Sequence, residues 1–395
     1  MKLRFIYLYR NLTRNSLRTV LTLLAVALPI IIYVMSAAVI NGVDDFLDES
    51  AKELRLAVTH RASVVSPLPH GYRAKIESLD PTRKRILSVC GMRWIGGRIE
   101  NDPRLLSTLA VDADTFAATF PNIQLTEAEI EAWHRDPTAI IVGPSTADQF
   151  GWKVGDRITI LPSVPPYTPI EFNVVSTAPK AKDRMTNFCR LSYIEEALRP
   201  PVVPEGWQPE GWVSFIFVKC ATQSDLEHYR KAIDELFART PDETKTQDEK
   251  TFMNEYITQL FNLPRNLRIL AAVTIFVAVL AAANTMGMNL RDRMNETAVL
   301  KSLGFGGTMV FGLIQAESLM ICGLGGAIGA AIPFVAFNYT ALKNYTVPLI
   351  QTLIVESDVC GEALLVALGV GLIAGLWPAW TGLRLPVVSA LRNLE

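Results

Sequence analysis

Four long apolar runs punctuate the chain: Thr19–Ile40, Ile269–Leu290, Thr308–Phe337 and Ala363–Trp380. Each reaches the roughly 18–20 residues that a helix needs to cross a hydrocarbon core. Between the first and second runs the pattern changes. From Asn41 to about Pro264 no apolar run is long enough to span. Short β-like segments appear instead, at Ala62–Ser66, Arg85–Arg98, Leu105–Val111, Ala139–Gly143, Arg157–Leu161, Pro169–Thr177 and Trp212–Cys220. Helical periodicity separates them at Gly71–Leu79, Thr126–Arg135 and Ser224–Phe237. This mixture predicts a folded α+β domain. Asp44–Leu56 reads as a helical stalk leaving the first span. Asp242–Lys250 and Thr251–Leu263 together read as a second stalk entering the next span. Pro-rich Leu161–Pro169 and Arg199–Pro209 predict exposed loops. The fold class expected is therefore an integral membrane α-helical protein with four transmembrane helices and a large extracytoplasmic α+β domain between helices 1 and 2.

The second and third runs are joined by a short charged stretch, residues 291–304. Arg291, Asp292, Arg293, Glu296 and Lys301 supply its charges, and Val299, Leu300 and Leu303 fall on helical spacing. Gly304, Gly306 and Gly307 end it. A span, a tight amphipathic turn and another span put this segment at one membrane surface, where a soluble partner can grip it.

Basic residues give the orientation. Lys2, Arg4, Arg10, Arg14 and Arg18 precede the first span, Arg291, Arg293 and Lys301 lie between the second and third, and Arg384 and Arg392 follow the fourth. The opposite flanks hold only Lys52, Arg55, Arg265, Arg268 and Lys343. Both termini and segment 291–304 are expected in the cytoplasm. Residues 1–18 form a basic amphipathic pattern suited to an anionic leaflet. The apolar run behind them exceeds the usual signal-peptide core, so an uncleaved anchor is expected.

Length and composition agree with this division. The 395 residues allow two or three domains. Half are hydrophobic and 19% charged, with a mean hydropathy of +0.24. A net charge of −1 gives no reason to expect nucleic acid. Cys90, Cys189, Cys220, Cys322 and Cys360 show no metal spacing. His60, His70, His134 and His228 are scattered, and there is no GxxxxGK[ST], HExxH or GxSxG motif. No catalytic residue, no metal ligand and no bound cofactor is expected in this chain. Three polar residues inside the spans stand out. Glu317 is costly in lipid and should face the bundle and pair or protonate. Asn284 and Gln315 are expected to hydrogen-bond neighbouring helices.

The stretch from Asn284 through Arg291, Arg293, Glu296, Val299, Leu300, Lys301, Ser302 and Leu303 to Gly304 resembles a known signature. It is similar to the coupling helix of ABC transporter permeases in the MacB/FtsX/LolC–LolE superfamily, the type VII or mechanotransmission class. A second motif, Pro378, Ala379, Gly382, Pro386, Ala390, Leu391 and Arg392, resembles that family's ending, and Ala139–Ile160 resembles a segment of its ectodomains. Gly151 and the Gly155–Asp156 pair there suit a turn entering a strand.

The resemblance implies a division into a cytoplasmic helix (1–18), a first span (19–40), a MacB-like periplasmic ectodomain with stalks (41–264) and an FtsX-like permease domain (265–395). In the last, spans at about 269–290, 308–337 and 363–380 flank the coupling helix 291–304. It also implies a non-catalytic inner-membrane subunit. ATP and Mg would be bound by a separate cytoplasmic ABC ATPase dimer seated on Arg291, Arg293, Glu296, Val299, Leu300, Lys301, Leu303 and Gly304. A second permease copy or a paralogue would complete the dimer within membrane lipid. Two functional branches stay open. One is export or extraction of a lipoprotein, lipid, peptide or drug, with a periplasmic adaptor and outer-membrane duct. The other is FtsX-like signalling that activates a periplasmic cell-wall hydrolase.

Overall fold

The computed structural model of the protein describes residues 16–64, 66–164, 167–181, 185–197, 211–340 and 353–384. The chain divides into two compact units, one formed by residues 43–261 and the other by 16–42 with the described residues from 262 onward. The basic stretch at residues 1–15, the Pro-rich loop expected at Arg199–Pro209 and the terminal Pro386, Ala390, Leu391 and Arg392 lie outside the described residues.

Helix α1, Ser16–Ala51, contains the first apolar run and continues well beyond it. The expected stalk Asp44–Leu56 therefore ends earlier than its sequence suggests. Leu54 takes a left-handed backbone (φ 49°), and β1 begins at once as Arg55–His60. The strand expected at Ala62–Ser66 is not there; it lies upstream at β1. Both faces of β1 are buried, so the polar–apolar alternation that marks a half-exposed strand is missing.

The elements that follow are β2 (Leu68–Pro69), α2 (Tyr72–Glu77), β3 (Ile86–Trp94), β4 (Ser107–Val111), α3 (Phe116–Thr119), α4 (Glu127–Arg135), β5 (Ala139–Ile141) and α5 (Pro144–Phe150). Next come β6 (Arg157–Ile160), β7 (Ile170–Ser176), β8 (Thr186–Arg190), α6 (Leu191–Ala197), β9 (Trp212–Val213), β10 (Phe215–Cys220), α7 (Gln223–Phe237), β11 (Thr244–Asp248) and α8 (Glu249–Phe261). Among the described residues they build a nine-stranded sheet in the order β11-β1-β10-β3-β4-β8-β5-β7-β6, and β2 pairs with β9 separately. The β4–β8 and β5–β7 pairs are parallel and the other ladders antiparallel. The single strand expected over Trp212–Cys220 is thus two, in different sheets.

Each face of the sheet has its own core. Leu56, Val58, Val89, Ile216 and Val218 point to one, which Tyr72, Ile76, Ile233 and Phe237 cover from α2 and α7. Ala57, Cys90, Met92, Phe188 and Phe217 point to the other, under Phe116, Trp133 and Phe252. Burial on both faces raises the thiols of Cys90 and Cys189 far above the ordinary range. All five cysteines are free.

Two local signals act as their chemistry suggests. Thr126 and Glu129 form a reciprocal capping box that starts α4. Gly151 (φ 71°) closes α5 and Gly155 (φ 96°) turns the chain toward β6, both in backbone that a side chain would strain. The expected stalk at Asp242–Lys250 is corrected: residues 244–248 are edge strand β11, paired with β1. Its threonines pass for stalk residues because Asp234 of α7 accepts from the hydroxyls of Thr244 and Thr246 at 2.9 and 2.6 Å.

One ion pair gives the unit a pH dependence. His70 Nε2 lies 2.9 Å from Asp112 Oδ1. Asp112 Oδ2 also accepts from the Gly91 backbone N–H at 2.7 Å and lies 3.1 Å from Arg73. The hydrogen bond to Asp112 lifts the His70 pKa, against the opposing effects of burial and Arg73. A histidine raised in the folded state contributes fully below its unfolded value of about 6.5, and the contribution fades as pH rises through the folded pKa. The chain should therefore lose stability as pH rises from about 6.5 through the higher folded pKa. His70→Gln should flatten that part of the profile, as measured by thermal unfolding at a series of pH values.

The second unit adds α9 (Leu263–Asp292), α10 (Met294–Ser302), α11 (Gly307–Tyr339) and α12 (Ser357–Arg384). Among the described residues α1, α9, α11 and α12 are long and apolar enough to cross a membrane. The chain is a multi-pass membrane protein with a large α/β unit inserted after its first span. The core between the helices interleaves alanines, including Ala278, Ala282, Ala330, Ala363, Ala367 and Ala374, with Val26, Ile30, Val34, Val359 and Val370. A Cβ at Gly329 would sit 2.7 Å from the Ala27 carbonyl, and one at Gly326 would sit 2.2 Å from Ala367 Cβ. Close backbone approach replaces hydrophobic collapse where the surrounding solvent is itself apolar.

Candidate functional site

The segment between the second and third spans folds as two pieces. Helix α9 carries Arg291 and Asp292 on its last turn, so these belong to the span rather than to the short helix. The helix breaks at Arg293 (φ −112°). Helix α10 then runs to Ser302, and Gly304 (φ 90°) reverses the chain toward α11 in a conformation that favours glycine.

The residues of this segment divide between two directions. Thr297 and Ala298 are buried. Arg293 turns inward, its Nη1 lying 3.3 Å from Glu317 Oε2 and 3.4 Å from Oε1. The two side chains are 19% and 12% exposed. Beside them lies a cavity of about 40 Å³ lined in part by Asn289, Arg293, Thr297 and Glu317, large enough for one water. Lys301 Nζ donates to the Leu383 carbonyl of α12 at 3.0 Å. Val299 and Leu303, by contrast, are 46% and 71% exposed. Arg291 and Gly304 are exposed, while Glu296 and Leu300 are half-buried.

Of the polar residues singled out in the spans, Glu317 pairs with Arg293. Gln315 Nε2 donates to the Gly371 and Leu372 carbonyls at 3.3 and 3.0 Å. Asn284 instead lies exposed on α9. The sequence reading missed Ser318, whose buried hydroxyl donates to Gly371 O at 2.7 Å. Its signal was present: Gln315 and Ser318 are three apart, on one helical face. Gly375, one turn along α12 from Gly371, leaves room for both, since a Cβ there would meet Gln315 Oε1 at 2.8 Å and Ser318 Cβ at 2.9 Å.

The Arg293–Glu317 ion pair at the break before α10 reaches α11, and the Lys301–Leu383 hydrogen bond ties α10 to α12, while Val299 and Leu303 stay exposed. Glu317→Leu should strand the Arg293 charge in a largely apolar setting and cost about 1–2 kcal/mol, less than a fully buried pair because both groups retain some exposure. The exchange Arg293→Glu with Glu317→Arg should recover most of that loss. Thermal unfolding of the two variants in lipid nanodiscs distinguishes these outcomes; equal losses in both would show that the pair does not hold the helix.

Comparison with known proteins adds to this geometry. The family model for the FtsX-like permease C-terminal region matches residues 268–387, and that for the MacB-like periplasmic core domain matches residues 19–236. An uncharacterised ABC transporter permease of Methanocaldococcus jannaschii is 27% identical over 124 residues, 31% of each chain. A macrolide export ATP-binding/permease protein MacB of Hyphomonas neptunium is 33% identical over 126 residues, 31% of this chain and 18% of the relative. An uncharacterised ABC transporter permease protein of Mycobacterium tuberculosis is 21% identical over 273 residues, 67% of this chain and 30% of the relative. The matches thus span about a third or less of these relatives. Among solved structures, the periplasmic region of MacB from Actinobacillus actinomycetemcomitans aligns with a TM-score of 0.32 and 9% identity, covering 52% of this chain and 92% of that one. The extracellular domain of the Gram-positive transporter YknZ aligns with a TM-score of 0.33 and 8% identity, over 49% and 99%.

Proposed function

Because this chain belongs to the MacB/FtsX family of ABC transporter permeases, we propose that it couples ATP hydrolysis by a separate ATPase to movement of its α/β unit. One observation carries this reading. Helix α10 presents exposed Val299 and Leu303 outward while Arg293–Glu317, at the break before it, and Lys301–Leu383 connect it to two different spans. A docked ATPase that tilts α10 therefore moves α11 and α12 together, and α9 through the direct chain connection at Arg293. The spans pass the motion on through α1 and α8–α9, which lead into and out of the α/β unit.

In this reading α10 faces the cytoplasm, the α/β unit is periplasmic and the membrane is the bacterial inner membrane, as the distribution of basic residues suggests. ATP and Mg stay on the ATPase. Two copies, or this chain with a paralogue, provide the two seats that a paired ATPase needs. The work done is export or extraction of a substrate from the membrane or periplasm. Four spans per subunit, drawn close where Gly326 and Gly329 meet Ala367 and Ala27, suit mechanical transmission better than a wide channel.

Affinity purification of the tagged chain from native membranes, followed by mass spectrometry, tests the proposal. Recovery of an ABC ATPase with a periplasmic adaptor or outer-membrane protein is the expected result. An ATPase accompanied by a peptidoglycan hydrolase would move the assignment to signalling. Absence of any ATPase would overturn the coupling role of α10.

A further inference from the structure

The α/β unit holds a partly open cavity of about 170 Å³, away from the coupling segment in the chain. Its floor is the second face of the sheet, where alternate residues of neighbouring strands point the same way: Phe215 and Phe217 of β10, Trp94 of β3 and Phe188 of β8. Its walls are helical, with Phe46 from the last turns of α1 on one side and Phe252 and Met253 from the first turns of α8 on the other.

Size, charge and ring geometry narrow the occupant. An apolar cavity of about 150 Å³ is known to hold benzene, so this one takes a single substituted ring and excludes a macrocycle. The charged residues of the lining are Glu49, Glu53, Arg55 and Glu249, and each is already partnered. Arg55 binds Glu249 through both carboxylate oxygens, at 2.6 and 3.0 Å. Glu53 lies 3.5 Å from Arg55 and 3.4 Å from Lys219. Glu49 is engaged within the chain as well. The Ser50 hydroxyl is turned to the Phe46 carbonyl at 2.9 Å. An ionic occupant of either sign would therefore give up its water without gaining a counter-charge, which is costly. What the lining offers is aromatic. Phe252 meets Phe215 and Phe217 edge to face, with centroids 5.5 and 5.7 Å away. Another aromatic ring can extend that cluster with the same contacts, and a saturated ring cannot.

We propose that this cavity is a binding site for a small uncharged aromatic molecule, one substituted ring packed among Phe188, Phe215, Phe217 and Phe252. The site goes beyond the transport reading and does not depend on it, since binding is read without an ATPase. An occupant would contact the end of α1 and the start of α8 at once, and so would set how closely these two helices pack on the sheet.

The test uses the full chain in lipid nanodiscs, labelled with fluorotryptophan and followed by fluorine NMR. Trp94 lines the cavity, and its signal is assigned with Trp94→Phe. Trp377 and Trp380, exposed on α12, report ligand that merely enters lipid. Ethylbenzene, ethylcyclohexane, phenethylamine and phenylacetate are titrated, with affinities referred to the ligand free in water. Ethylbenzene should shift the Trp94 signal saturably. It should bind about tenfold or more tightly than the amine and the acid, and about fivefold more tightly than the saturated ring. Leu109→Phe with Met253→Phe, which fills the cavity, should abolish the shift, while an unchanged signal from buried Trp133 shows that the fold is kept. No saturable shift at Trp94, an ion or the saturated ring binding as tightly as ethylbenzene, or a shift that survives in the filled variant would each overturn the proposal.

Discussion

Replacing Arg55 with methionine is expected to destabilise the α/β unit by about 3–5 kcal/mol, enough to unfold a marginally stable domain. Arg55 is 3% exposed and its partner Glu249 is 5% exposed. Its guanidinium makes four hydrogen bonds: two to Glu249, one to the Thr119 carbonyl at 3.1 Å and one to Asn122 Oδ1 at 2.9 Å. It also lies over the Phe120 ring at 4.4 Å. One side chain thus ties the first strand to α8 and to the turn after α3. Methionine fills much of the volume but leaves a buried carboxylate and a carbonyl without donors. Removing both charges, as Arg55→Met with Glu249→Leu, should recover a substantial part of the loss, because two apolar groups need no solvation. Chemical denaturation of the three proteins measures this. A double variant no more stable than Arg55→Met alone would show that packing, rather than the stranded carboxylate, sets the cost.

Aspartate at both Val299 and Leu303 should have the opposite profile, with function lost and stability kept. Both side chains already face outward, and substitutions at such positions usually move stability by less than about 0.5 kcal/mol. Burying the pair against a partner is worth about 3 kcal/mol or more by transferred area, so two carboxylates there should weaken docking more than 100-fold. The measurement is the ATPase recovered with the chain, together with ATP-driven activity and the melting temperature. Full activity in this variant would remove α10 from the coupling route, whatever the family.

Much of the membrane unit is legible in the sequence. Runs such as Thr19–Ile40 and Ile269–Leu290 can satisfy their backbone in lipid only as helices. Their ends proved less legible: α1 continues to Ala51, because a helix leaving a membrane need not stop where its apolar residues do. In the α/β unit, helices with local signals were evident, such as α4 with its Thr126 cap. Strand β8, Thr186–Arg190, was not. It is a central strand buried on both faces, and its Asn187 is buried because its side chain bonds the Gly143 N–H at 3.1 Å and Ser107 O at 3.2 Å. Nothing nearby in the chain announces those partners.

Helix-long apolar runs, glycine turns and the charged 291–304 segment follow from local chemistry, since each is set by residues within a few positions of one another. The direction each charge faces does not. In the chain, Arg55 is one of a few basic residues flanking a span, yet it is the anchor of a buried pair with a partner 194 residues away. Arg293 stands in the row of charges expected to meet a partner, yet it reaches back to Glu317. Charge, unlike apolar character, carries no preference for one face until an opposite charge is placed beside it. That placement depends on which distant elements pack together, and only the folded chain brings them into contact.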